Sequence, residues 1–291
     1  MRVSVLSALA LAVFVSAAAA AEAPMPAACV RDAQSEVNYR ACADATASGD
    51  PLHTLSLINL GTQAFLQNNW GEAVRLYDEA RPPSGQQLYS DANFHAYRAS
   101  AYQHVGRLEE ALWDARAALS MLRDDDGVPE ETRRLNAALA LDQDTIYALI
   151  VPVLKEGNDP EFASALAVYL AIPATDWYAY ANRAGVLEQI GELDSALEMS
   201  ERALALESQH PGVLNNHCYI LTRANRAGDA LPFCEAAVRG APDIGAVRHS
   251  LASALAQLGR CGEADAALAD ARRLDPTDPT YREALACTAR S

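Results

Sequence analysis

Lysine is almost missing from this sequence: 22 arginines stand beside a single lysine, Lys155, in 291 residues. Basic charge is short altogether. With 23 Lys and Arg against 38 Asp and Glu, the formal net charge is -15, which argues against non-specific nucleic-acid binding, because that affinity comes from neutralising phosphates. Phe and Trp are few, five and three, and β-branched residues are sparse, so an all-β fold is excluded. The short motifs that carry chemistry are missing too: there is no Gly-x-Ser-x-Gly, no phosphate-cradling glycine loop, no His-Glu-x-x-His and no Cys-x-x-Cys. No catalytic residue, metal or cofactor is therefore expected. What the sequence has in excess is alanine, the strongest helix former, and a hydrophobic share of 51% excludes a disordered chain.

The N-terminus reads as a secretory signal. Met1-Arg2 supplies a positive start, Val3 to Ala20 is apolar, and Ala19-Ala20-Ala21 before Glu22 offers a small-x-small cleavage site, so residues 1–21 are expected to be removed. No second apolar stretch of spanning length follows, so the mature chain from Glu22 is expected to carry no transmembrane segment and to be periplasmic or secreted. Arg-rich, Lys-poor and Ala-rich usage looks like a high-GC bacterium, which favours the periplasm. In an oxidising compartment the six cysteines, Cys29, Cys42, Cys218, Cys234, Cys261 and Cys287, read as disulfide partners. Cys29 has a rival use, because Ala27-Ala28-Cys29 resembles the small residues before a lipidated cysteine. Against it, Pro26 stands where that signal wants an aliphatic residue. His217-Cys218 with Cys234 invites a metal, but adjacent helical side chains point about 100° apart and would not converge on one ion.

A fixed period organises the rest. Residues 184–196 align with 252–264, and the block between them completes three abutting windows of equal length, 177–210, 211–244 and 245–278. Small residues recur at the eighth position (Ala184, Cys218, Ala252), the twentieth (Ala196, Ala230, Ala264) and the twenty-seventh (Ala203, Ala237, Ala271). Less regular windows fit at 54–87, 92–125 and 143–176. In length and in these small positions the pattern resembles the tetratricopeptide repeat family, in which two antiparallel helices approach closely where facing side chains are small. The resemblance implies an all-α fold, an α-solenoid forming a right-handed superhelix of helix-turn-helix repeats with capping helices. An N-terminal helical cap is expected over 22–53, with Ser35 as candidate N-cap, two repeats over 54–125, an extra helix or insertion over 126–142, four repeats over 143–278, and a C-terminal capping helix over 279–291. Pro152 is expected to kink the helix after the insertion, where the superhelix has an opportunity to bend or divide.

Within that frame the cysteines can be paired. Cys218 and Cys234, at positions eight and twenty-four, lie level across one helix pair, so a bridge between them is expected. Cys29 and Cys42 need a chain reversal between them, and some exported bacterial repeat proteins look similar, with a cysteine pair ahead of the first full repeat. Cys261 and Cys287 remain for each other. The resemblance also places ligands against the first helix of each repeat, at positions two, five, nine, twelve and thirteen. Carried over, these include Asn93 and His104, then Tyr178 and Gln189, then Asn215, Tyr219 and Arg223, then His249. The lining is polar, and the lysine-rich clamp some family members use for acidic tails is missing. The three first-helix segments of 177–278 hold three arginines against one glutamate, so the acidity lies on second helices and turns. The expected role is a non-enzymatic scaffold that binds a protein or peptide partner of the cell envelope; the alternative is a lipidated assembly factor anchored through Cys29.

Overall fold

A computed structural model describes residues 38–48, 50–80, 92–123, 143–276 and 278–287. Every regular element among the described residues is helical: thirteen α-helices and one 3-10 turn. They belong to two compact units, Met1–Ala171 and Ile172–Ser291.

The first unit holds α1 (Tyr39–Ala45), α2 (Pro51–Leu66), α3 (Trp70–Glu79), α4 (Ala92–His104), α5 (Leu108–Arg123), α6 (Gln143–Glu156) and α7 (Phe162–Ala171). Local chemistry sets their starts. Asn38 Oδ1 accepts the Ala41 N–H at 3.0 Å and Asp50 Oδ1 the Leu52 N–H at 2.7 Å, with Pro51 in the first turn where its missing donor costs nothing. The cap residue of α1 is thus Asn38; the candidate Ser35 lies outside the described residues, as do Cys29 and the insertion expected over 126–142. The first hairpin begins at Pro51, slightly ahead of the window edge expected at 54. Pro152 is buried inside α6, which continues to Glu156. The chain divides after α7 and not at the insertion. Side-chain ties explain why the third hairpin stays with the first two: Gln103 Nε2 on α4 donates to Glu156 Oε2 at 2.6 Å, and Arg116 on α5 grips Asp159 Oδ2 at 2.7 Å. Asp159 Oδ1 meanwhile accepts the Glu161 N–H, and α7 begins at Phe162.

The second unit keeps the period to the residue. First helices α8 (Trp177–Gln189), α10 (Pro211–Arg223) and α12 (Gly245–Gln257) start and end exactly one window apart. So do second helices α9 (Leu193–Leu206), α11 (Ala227–Gly240) and α13 (Cys261–Leu274). The contact positions explain the spacing. Ala184, Cys218 and Ala252 are fully buried, as are Ala196 and Ala230, and as are Ala237 and Ala271. In the first unit Ala99, Ala111 and Ala118 occupy the same places. At Gly61 even a methyl is too large, because a Cβ there would stand 2.6 Å from the Tyr77 ring.

One turn geometry joins the helices of the six hairpins among the described residues. Asn68, Gly106, Asn158, Gly191, Asn225 and Gly259 each adopt positive φ. In each, the next residue's N–H reaches back into the last turn of the first helix, as from Arg226 to Leu221 O at 2.8 Å and from Arg260 to Leu255 O at 3.0 Å. This is the Schellman closure, which satisfies a last-turn carbonyl and needs a residue tolerant of the left-handed region.

Among the described residues the C-terminal capping helix expected over 279–291 is not formed. Pro279–Tyr281 makes one 3-10 turn, and the chain from 282 to 287 is non-helical. Arg272 on α13 is the physical reason. Its Nε donates to Tyr281 O and its Nη2 to Arg282 O at 3.2 Å and Glu283 O at 3.1 Å, so the carbonyls a helix would use internally are turned to a guanidinium.

Candidate functional site

The first-helix face of the second unit carries six of the expected binding residues, and the structure treats them differently. Tyr178, on the first turn of α8, keeps 53% exposure, beside the Trp177 ring at 5.8 Å. Gln189 is exposed at the end of α8. Asn215 is half-buried on α10, and its Oδ1 is buried with no hydrogen-bond partner among the described residues. One residue on, Asn216 Nδ2 donates to Ala181 O of the preceding repeat at 2.7 Å, so the side chain of one first helix is tied to the backbone of its neighbour.

Tyr219 and Arg223 come together with a third residue. Arg223 Nη1 donates to the Tyr219 hydroxyl at 3.3 Å and forms an ion pair with Glu188 of the preceding repeat. Burial raises the Glu188 carboxyl above its ordinary range and the guanidinium charge opposes that rise. The next junction repeats the contact with neutral groups, because Gln257, at the position of Arg223, donates to Thr222 O at 2.9 Å. Position thirteen of one repeat therefore reaches back to position twelve of the repeat before it. Arg223 is half exposed but tethered, available to a ligand only through its outer face or after leaving Glu188.

His249 is half-buried on α12, its ring 5.2 Å from the Tyr281 ring. Burial holds its pKa below the usual imidazole value, with Asp278 pulling the other way. His249 thus belongs to the packing of the C-terminal turn. His217 is similar: its Nδ1 meets Ser200 Oγ at 2.8 Å, its ring stands edge-on to Phe233, and burial lowers its pKa. Cys218 beside it is bridged to Cys234, with Cα atoms 5.1 Å apart, and Cys261 is bridged to Cys287. Cys42 is disulfide-bonded as well. No cluster of three or more His, Cys, Asp or Glu side chains among the described residues is placed to hold a metal ion.

In the first unit Asn93 is half-buried on α4, and His104 lies exposed at its end, stacked on Trp70 with ring centroids 4.0 Å apart. Phe65 joins this stack, 4.8 Å from Trp70 and 5.1 Å from Tyr97. The aromatic group escapes a reading confined to the more regular windows; Phe65 and the exposed Leu66 at positions twelve and thirteen of window 54–87 are the signal that finds it. A second unforeseen feature is ionic. Asp114 on α5, fully buried, accepts from Arg98 Nε at 2.7 Å and Nη2 at 2.8 Å and contacts His95 Nδ1 at 2.6 Å, tying α4 to α5.

Solved structures share this architecture. A tetratricopeptide repeat protein from Parabacteroides merdae superposes with a TM-score of 0.57 at 14% identity, over 84% of this chain and 87% of that one. PilW, described as a widely conserved type IV pilus biogenesis factor, superposes with a TM-score of 0.50 at 17% identity, over 79% of this chain and 96% of its own. A chain of the APC/C hetero-tetramer Cut9-Hcn1 does so with a TM-score of 0.50 at 12% identity, over 84% of this chain and 44% of its own. No protein-family profile matches the chain. At these identities the likeness establishes the fold: an α-helical solenoid of tetratricopeptide-type repeats.

Proposed function

We propose that this chain is an exported, non-enzymatic interaction scaffold that holds a peptide or protein segment of the cell envelope against the first-helix face of its second unit. The observation that carries the reading is the mixture on that face: an exposed aromatic ring at Tyr178, a buried and unpartnered acceptor at Asn215, and the Tyr219–Arg223–Glu188 group. The orphaned Asn215 oxygen is costly and closed off in the free protein, so a peptide N–H satisfies it once the side chain turns outward. The surrounding hydroxyl and guanidinium groups suit the polar backbone of an extended segment. Bridged cysteines fit an oxidising compartment. Among the described residues no helix is long and apolar enough to cross a membrane.

The test is crosslinking in cells from a photoreactive residue placed at Tyr178, followed by identification of what is captured. Replacing Asn215 and Tyr219 together by alanine is expected to reduce capture at least about tenfold, the scale of one or two lost hydrogen bonds, with no loss of folded structure. Unchanged capture overturns the assignment of this face. Intact mass of the purified mature chain separates the exported form, starting near Glu22, from one acylated at Cys29.

A further inference from the structure

The polypeptide after α13 begins another repeat and then abandons it. Position one of the last two full windows is Pro211 and Gly245, and Pro279 stands at the same place in the register. Position three is Val213, Val247 and then Tyr281, with 1%, 3% and 5% exposure. Val247 packs with Ala237 of the repeat before it, and Tyr281 packs in the same way on the cluster that contains Leu255, Leu268 and Ala271. Leu285 and Cys287 are partly buried against that cluster. The segment thus covers the apolar end face that the first helix of a further repeat would cover, as solenoid ends require.

Three devices hold it there, and they are unequal. Tyr281 is buried. Arg272 grips the carbonyls of Tyr281, Arg282 and Glu283 from an exposed position. The Cys261–Cys287 bridge then closes the far end onto the first residue of α13. This bridge differs from the other described one in access. Cys218 and Cys234 have no exposed surface, whereas Cys261 and Cys287 are each partly exposed. Disulfide exchange needs a thiolate to reach a sulfur, so access decides which bridge reacts.

We propose that Cys261–Cys287 is the reducible clamp of a releasable cap. An external dithiol, the group a thiol–disulfide oxidoreductase presents, opens it ahead of Cys218–Cys234, and residues 282–287 leave the end face while Tyr281 stays. In the first step a thiolate of the dithiol attacks one sulfur of the bridge, giving a mixed disulfide and releasing the other sulfur as a thiolate. The second thiol of the reductant then displaces the mixed disulfide. The reductant departs oxidised as its own disulfide, and Cys261 and Cys287 are left as two thiols carrying the two protons the dithiol brought. What then holds 282–287 is the hydrogen bonds of Arg272, which compete with water, and the partial burial of Leu285.

The experiment uses the folded, oxidised mature chain under limiting dithiothreitol, with N-ethylmaleimide trapping, peptide mapping, and timed trypsin pulses that follow cleavage after Arg282. Labelling of Cys261 and Cys287 at least about tenfold faster than that of Cys218 and Cys234, together with a rise of similar size in cleavage after Arg282, is the expected result. The double variant Cys261→Ser/Cys287→Ser is expected to show the fast cleavage without reductant, at unchanged helical content. Arg272→Gln, which keeps the bridge, is expected to remain slowly cleaved until reduced. Equal labelling of the two bridges overturns the proposal, as does opening of Cys261–Cys287 with no change at Arg282, or fast cleavage of oxidised Arg272→Gln.

Discussion

Individual side chains in this protein divide by whether water can reach them. His217 and His249 sit on adjacent first helices, and burial depresses the pKa of both. The sign follows directly. Below the ordinary imidazole value of 6.5 the unfolded chain binds protons that the folded chain resists, so stability present above that value is lost as pH falls through it. Urea midpoints measured at about pH 7.5 and about pH 5.5 are expected to drop on acidification, and His217→Gln, which can keep a hydrogen bond to Ser200, is expected to show a smaller drop. An equal drop in the variant removes His217 from the account. At this scale the sequence revealed little. That Arg223 binds Glu188, or that His249 packs on Tyr281, depends on which residue the preceding or following repeat presents. Positional analogy names the place on the helix and leaves that neighbour unspecified. The Asp114 triad was hidden for the same reason: nothing in the sequence brings Arg98, His95 and Asp114 together until α4 and α5 face each other.

At the scale of elements the sequence was far more legible, because helix starts in the second unit obey a translation of one window length that the recurrence of small residues exposes. Where the sequence misled, one side chain outcompeted a pattern: Arg272 took the carbonyls of Tyr281, Arg282 and Glu283, which a helix there needed. The turns carry the element-level prediction. Gly191 has φ of 85° with no atom within 4 Å of where a Cβ would stand, so Gly191→Ala incurs backbone strain alone. A loss of about 1–2 kcal/mol is expected. Asn225 holds the same conformation at φ of 59°, and Asn225→Gly is expected to change stability by no more than about 0.5 kcal/mol. Denaturant unfolding of the two variants side by side checks the contrast; similar losses in both would show that the turn is not governed by its left-handed residue.

For the whole molecule, the covalent crosslinks matter most. Cys218 takes the place that Ala184 and Ala252 fill in neighbouring repeats, fully buried in all three. At the place of Cys234 the preceding repeat buries Ser200, so Cys218→Ala/Cys234→Ser puts at both positions a residue that a neighbouring repeat buries there and removes the crosslink, whose sequence separation is 16. A stability loss of about 3 kcal/mol is expected for a loop of that size, read as a lower urea midpoint against the oxidised parent. A loss below about 1 kcal/mol would place the stabilising effect in packing and not in the constraint on the unfolded chain.

The strict register of the second unit has one more consequence. Helices begin at equivalent residues in every window, and both sulfurs of the buried bridge lie inside 211–244. That stretch is a cassette carrying its own crosslink. Joining His210 directly to Gly245, or inserting a second copy of 211–244, leaves every remaining cysteine with its original mate and every helix start in phase. The length of this chain can therefore be edited in steps of one window without rewriting its oxidative folding.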